Sequence, residues 1–310
     1  MADPLVSICC LTYNQKDYIA QTLDSMLSQK TDFPIEILIH DDASTDGTDE
    51  IIRSYAARYP EIIRPLFETE NQFSKEIKNI SGVFNFPRAK GKYIAMCEGD
   101  DFWNDPDKLQ QQVDYMRENP DCTICFHSAH RINVGVAGTV LMRPYKKTGI
   151  IMPRDIINKS VGYPTASLLI RADLMKELPA FYMKAPIGDI PMQLCMAAEG
   201  YGYYIDKPMA TYRYNAPGSW TNDMYMSADY IEKQKTYCDE MLNMYDRYDI
   251  FTARRFKDDI AVAKDRIYYQ TRVNIRDYAT IYNKAYRKFY REIPWKDRIF
   301  LRLQRMMRKR

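Results

Sequence analysis

Residues 93–109 read YIAMCEGDDFWNDPDKL. Tyr93 to Cys97 is a short apolar run of the kind that lies inside a sheet covered on both faces. It opens directly onto Glu98, Asp100 and Asp101, with Asp105 and Asp107 close behind. Carboxylates set this closely repel one another, so the cluster calls for a positive partner. Asp105 and Asp107 have an ordinary role near a helix N-terminus, with Pro106 in its first turn. Glu98, Asp100 and Asp101, at the end of a strand, do not.

Two more stretches end in the same way. LVSICCLTYN (5–14) reads as a buried strand closing on Thr12, Tyr13 and Asn14, and IEILIHDDAS (35–44) as a second one closing on Asp41 and Asp42. QKDYIAQTLDSMLSQ has apolar residues at helical spacing, and TDEIIRSYAARYP is a second helix ended by Pro60. Ser44, Thr45 or Asp46 suits the cap of that helix and Gly47 a turn, which leaves Asp41 and Asp42 placed to touch a ligand. Strand and helix in alternation predict an α/β fold with a mainly parallel sheet, whose ligands bind outside the carboxyl ends of the strands. All three polar sets should therefore meet on one edge.

The chain has 310 residues, 46% of them hydrophobic, enough for a sizeable core. Its 44 basic and 41 acidic side chains leave a formal charge of +3, too near balance to imply a nucleic-acid binder on charge alone, and no nucleic-acid partner is expected. No cleavable leader pattern and no apolar run long enough to span a bilayer is read, so a cytoplasmic location is expected. The seven cysteines fall largely in strand-like runs and read as reduced core thiols. Cys122, Cys125, His127 and His130 imitate a zinc motif, but their spacing is too close and strand alternation would send Cys122 and Cys125 to opposite faces; a core strand is expected.

Residues 121–220 are less regular, with strand-like CTICFHSAHRI, a turn near Gly135 and Gly138, an apolar run TASLLIR, and a helix in DIPMQLCMAAEG. Beyond about 223 the pattern is helical, rich in tyrosine and charge. Neither a glycine-rich dinucleotide fingerprint nor a phosphate loop is present. An aspartate-rich strand end beside another suits a hard cation, Mg²⁺ or Mn²⁺, which is held by one or two carboxylates together with substrate phosphates.

Taken together, VSICCLTYNQKDYIAQTLDSMLSQ, IEILIHDDASTDGTDEII and RAKGKYIAMCEGDDFWNDPDKLQQQVDYM resemble the family-2 glycosyltransferases, inverting enzymes of the A-type nucleotide-sugar fold. The resemblance implies a Rossmann-like catalytic domain over 1–222, with a nucleotide-binding half to 110 and an acceptor half from 111, and a helical segment over 223–310. It implies that Thr12 and Tyr13 pack around the nucleotide base, with Asn14 also at the nucleotide-sugar site, and that Asp41 and Asp42 recognise base and ribose. EGDD stands where the family carries Asp-x-Asp, so Glu98 would lie towards the ribose and Asp100 would hold the metal, with Asp101 assisting. Glu98 departs from the usual Asp. Asp189 matches the family's catalytic base, although it also suits a helix cap. Arg213 is a candidate for the diphosphate and Trp220 for stacking on a sugar or lining the acceptor channel. Lys75, Lys78 and Arg88 all remain open as the basic residue between the second and third strands.

The expected activity is metal-dependent, inverting transfer of a sugar from a nucleotide donor, expected to be UDP-linked, to a hydroxyl of a glycan or lipid-linked acceptor. The rivals are a catalytically silent nucleotide-sugar-binding or scaffold protein, and a nucleotidyl-transfer or phosphohydrolase enzyme. The tail PWKDRIFLRLQRMMRKR is basic, with Ile299, Leu303 and Met306 on one helical face and Phe300 and Met307 beside it. Residues 295–310 could lie on an anionic membrane surface, making the protein peripheral at the inner face, or could pack their apolar stripe on the catalytic domain.

Overall fold

The computed structural model describes residues 3–158, 162–217 and 219–307. The first two apolar runs form β1 (Val6–Thr12) and β2 (Ile35–Asp41), linked by α1 (Lys16–Leu27); α2 (Thr48–Arg58) then leads to β3 (Ile63–Phe67) and β4 (Tyr93–Met96). Next come β5 (Phe102–Trp103), α3 (Lys108–Glu118), β6 (Cys122–Asn133), β7 (Thr139–Met142), β8 (Gly149–Ile151), α4 (Pro153–Ile157), β9 (Leu169–Arg171), α5 (Ala180–Met183), α6 (Asp189–Glu199) and β10 (Tyr201–Tyr214). Helices α7 (Trp220–Met226), α8 (Tyr230–Phe251), α9 (Lys257–Asn274), α10 (Tyr278–Ile281), α11 (Arg287–Glu292) and α12 (Trp295–Met307) complete the described chain.

The strands form one sheet in the order β3-β2-β1-β4-β9-β6-β10-β5, with β7 added to β6 and β8 to β10. Six of the ten, β1 to β4 with β6 and β10, point the same way; β9 runs against them between β4 and β6. The expected α/β architecture is therefore present, and the strand ends coincide as anticipated: Thr12 lies in register beside Asp41, and β4 delivers Glu98 and Asp100 on the same edge.

Side-chain alternation along the strands feeds two apolar layers. Ile8, Cys10, Ile37 and Ile39 meet Ile19, Leu23 and Met26 of α1 and Val113 of α3 on one face. Cys9, Leu38, Ile94 and Met96 face the other layer, with Met192 and Met196 of α6 and Met241, Met244 and Tyr248 of α8. Each fully buried aliphatic side chain contributes roughly 1.5–3 kcal/mol relative to exposure. The C-terminal helices α8 and α9 are thus part of the core rather than ornaments on it, whereas α12 buries only Leu301.

Two local expectations change. α3 begins at Lys108, so Pro106 precedes the helix instead of entering its first turn. The β6 register slips between Cys122 and Ile124, a bulge that puts Cys122 and Cys125 in the same layer and not on opposite faces. Both thiols are buried in a core strand, and burial pushes Cys122 up to about 12.

Candidate active site

The acidic turn after β4 is built by its fit over β1. The Cys97 and Gly99 amides donate to the carbonyls of Cys9 and Leu11 at 3.2 and 2.9 Å. From below, the Thr22 hydroxyl of α1 reaches the carbonyls of Gly99 and Asp101 at 2.9 and 2.6 Å. A Cβ on Gly99 would stand 2.7 Å from Thr12 Oγ1 and 2.8 Å from Thr12 Cβ, so only glycine lets the turn lie this close. The spacing of Glu98 and Asp100 around a glycine is a packing requirement.

The three acids of the turn do different things. Asp101 faces inward, where one carboxylate oxygen accepts the Arg213 amide at 2.9 Å and the other is buried with no partner. Glu98 and Asp100 border a cavity. Burial and repulsion from Asp100 and Asp189 push Glu98 up to about 8. Burial raises Asp100 to about 6, against the pull of Arg213 and a hydrogen bond from Gln15. Asp101 is raised well above the carboxylate range by burial, then by Asp100 and Glu98.

Arg213 does not supply the missing charge from the cavity side. Its guanidinium lies 4.7 Å from the ring centres of both Tyr18 and Phe102 and donates to the Asp100 carbonyl and to Gln21. It braces the turn from behind. Two cavity-facing carboxylates and an orphaned carboxylate oxygen next to them make an oxygen-rich donor set that suits a hard divalent cation. Among the described residues no three His, Cys, Asp or Glu side chains form a cage on their own, which agrees with the habit of Mg²⁺ to share its coordination with phosphate oxygens and water.

The cavity, about 420 Å³, joins the turn to the second half of the chain. Asp189 lies on its wall as the first residue of α6, where the helix dipole favours a negative group. The wall also carries Lys78, Phe73, Tyr212, Trp220 and Tyr237. Trp220 is 37% exposed and packs on Tyr237 with ring centres 5.5 Å apart, leaving surface open for a ligand. Of the three basic candidates only Lys78 borders this space: Lys75 pairs with Glu70, and Arg88 donates to Phe84, Asn85 and the Ile39 carbonyl within the fold.

Thr12, Tyr13, Asn14, Asp41 and Asp42 do not line the cavity; they brace the loops that follow β1 and β2, one of which carries Phe73 to its wall. The Asp42 carboxylate accepts the amides of Gln72 and Phe73 at 2.7 and 3.1 Å, fixing the loop that carries Phe73 to the cavity, with His40 at 3.6 Å. Asp41 accepts both the hydroxyl and the amide of Ser44, whose oxygen in turn accepts the Asn14 amide at 2.9 Å. Asn14 accepts the Thr45 amide at 2.8 Å, and Thr12 donates to Gln15 at 2.8 Å. Tyr13 is 39% exposed and is free to meet a ring from solvent. The cap position of α2 is Gly47, at φ 95°, and not Ser44, Thr45 or Asp46; Asp46, one residue earlier, accepts the amides of Thr48 and of Lys16 at the start of α1, both at 3.0 Å.

Gln15, Tyr212 and Tyr237 carry parts of this arrangement that the sequence reading passes over. Gln15 bridges Thr12 and Asp100, and its place directly after the first strand end was the available signal. Tyr212 is one residue before Arg213. Tyr237 arrives from α8, with nothing in its local sequence to mark it.

A sequence profile described as Glycosyl transferase family 2 matches residues 7–178. A Mycobacterium tuberculosis protein described only as uncharacterized is 35% identical over 216 residues, 69% of this chain and 60% of that protein. The chain thus spans about 60% of the length of the first curated relatives it matches. TuaG of Bacillus subtilis, provisionally named a teichuronic acid biosynthesis glycosyltransferase, is 37% identical over 123 residues, 40% of this chain and 46% of its own. Among solved structures, S. aureus TarS 1–349 in complex with UDP-GlcNAc superposes with a TM-score of 0.54 at 20% identity, covering 81% of this chain and 72% of that one. The mannosyltransferase PcManGT from Pyrobaculum calidifontis, in complex with GDP-Man and Mn2+, gives 0.52 at 17% identity over 94% and 84%. These likenesses carry the fold, and with the profile covering more than half of the sequence, the chain belongs to glycosyl transferase family 2.

Proposed function

We propose that this protein is a metal-dependent inverting glycosyltransferase that moves a hexosyl unit from a UDP-sugar to a hydroxyl of a glycan or lipid-linked acceptor. The observation that carries this reading is the convergence of Glu98 and Asp100, after β4, with Asp189, at the head of α6, on one cavity. Two pieces of support come from the structural neighbours: TarS is complexed with UDP-GlcNAc, and PcManGT with GDP-Man and Mn2+.

In this proposal Asp100, with Glu98 and Asp101 beside it, holds Mn²⁺ or Mg²⁺. When bound, the ion neutralises charge developing on the leaving diphosphate. Lys78, exposed on the cavity wall and without an ion-pair partner among the described residues, supplies a second positive group for the diphosphate. Tyr13 and the loops braced by Asn14, Asp41 and Asp42 receive the base and ribose. Asp189 takes the proton from the acceptor hydroxyl as that oxygen attacks the anomeric carbon, so that the C–O bond to the acceptor forms as the bond to the diphosphate breaks. Trp220 stacks on a sugar and the 111–222 half receives the acceptor. Arg213 is assigned to bracing the acidic turn, and its effect on the diphosphate is indirect.

The test begins with thermal shift of the protein against UDP-sugars with and without Mn²⁺; a donor at a hundredfold excess over Kd stabilises by about 2.7 kcal/mol. With the donor so found, Asp189→Asn should lower the acceptor-dependent rate of UDP release about 10²- to 10⁴-fold while donor affinity stays near wild type. Equal loss of affinity and turnover would remove Asp189 as the base.

A further inference from the structure

The seating of α12 is inverted relative to the other long helices. Trp295, Ile299, Leu303 and Met306 are 62, 47, 53 and 67% exposed. At 3.6 residues per turn they occupy an arc of about 80°, which Phe300 and Met307, also exposed, extend on one side. The helix is fastened to the protein by the rest of its circumference, which is mostly polar: Leu301 is buried, Gln304 accepts from Tyr278 at 3.3 Å, Arg305 lies 4.5 Å from the Tyr282 ring centre, and Arg302, at the edge of the exposed arc, donates to Tyr290 at 3.2 Å. A helix that seals a core does the reverse. Six large apolar side chains facing water on one helix mark a surface that something covers.

Charge says what covers it. Residues 284–310 contain eleven basic and two acidic side chains, although the whole chain nets only +3. The rest of the protein is therefore net negative, and the positive charge is concentrated in the same stretch of chain as this apolar face. A second copy would bring an equally basic tail against the first, which like-charge repulsion opposes. An anionic lipid surface satisfies both features, since it attracts Lys and Arg side chains near it while the apolar stripe enters the boundary of the acyl region. Trp295, at the start of the exposed arc, has the amphipathic ring suited to headgroup depth.

We infer that α12 docks, apolar face down, on an anionic lipid surface and holds the protein there as a peripheral membrane protein. The inference does not depend on the chemistry of the cavity, and its test needs neither donor nor acceptor. The full chain is floated with vesicles of neutral phosphatidylcholine and with vesicles carrying about 30% phosphatidylglycerol, in low and in about 0.5 M salt. Binding at least about tenfold stronger to the anionic vesicles, weakened by salt, is expected. The triple substitution Ile299→Ser, Leu303→Ser, Met306→Ser, confined to exposed positions, should lower that binding about tenfold or more with the melting temperature unchanged. Equal binding to both kinds of vesicle, or unchanged binding by the triple variant, would overturn the inference. So would light scattering that finds a dimer which the triple variant splits, because the face would then belong to a second copy.

Discussion

Arg213 holds two rings, a carbonyl and a glutamine amide at once, and the acidic turn rests on it. Lysine can replace its charge but not its planar fork. Arg213→Lys should therefore cost about 2 kcal/mol in denaturant unfolding without any ligand present, since buried hydrogen bonds to a charged group are lost. A variant as stable as wild type would show that the turn does not need this brace. Lys108 offers a second residue-scale check. It is fully buried, its ammonium lies 4.1 Å from the Trp103 ring centre and donates to Gln112 at 2.9 Å, and burial lowers it from 10.5 to about 7. Between those values the unfolded chain binds the proton that the folded chain does not, so this group's contribution to stability rises with pH across the window and is flat below it. The buried cysteines, kept protonated when folded, work in the opposite direction above neutral pH. The clean readout is thus the stability of wild type minus that of Lys108→Met, which should grow by about 1.4 kcal/mol per unit between pH 7.5 and 9. A constant difference would mean that Lys108 stays charged.

Among the elements, the acidic turn and β1 are fitted to each other through Gly99. Gly99→Ala would press a methyl group against Thr12 Oγ1 and Cβ, and Thr12 belongs to a buried strand that cannot retreat. A loss of about 1–3 kcal/mol in stability and a parallel loss of donor affinity are expected; an alanine variant with wild-type stability and affinity would contradict the packing described. The same scale explains which parts of the fold were legible. β1, β2 and β4 are apolar runs bounded by polar clusters, so periodicity alone finds them. β3 and β10 were missed, and each contains a proline. Pro65 is tolerated because β3 lies at the sheet edge with only β2 as neighbour, and Pro208 because the register of β10 against β6 shifts there. The site divides in the same way. Asp100 stands out at a strand end, while Asp189 and Trp220 are marked only by the family resemblance; all three line the cavity, whereas Asp42 looks free in the sequence and proves to be engaged by two loop amides from some thirty residues away. Arg213 was equally opaque, because its partners lie in α1 and in the acidic turn.

Across the whole molecule, two distant stretches of chain are brought to one cavity by a sheet in which β4, β6 and β10 share a direction, while α8 and α9 lock the second half onto the same core. The cavity gathers negative charge, and the C-terminal tail gathers positive charge. The central claim is that the acidic turn grips a cation and the diphosphate of a donor. Its most direct test is calorimetric titration of the protein with UDP in Mn²⁺, in EDTA, and for Asp100→Asn and Asp189→Asn. Binding that needs Mn²⁺, weakens about tenfold or more in Asp100→Asn, a change of about 1.4 kcal/mol, and is nearly unchanged in Asp189→Asn is the predicted result. Equal affinity with and without the metal, or in wild type and Asp100→Asn, would contradict it.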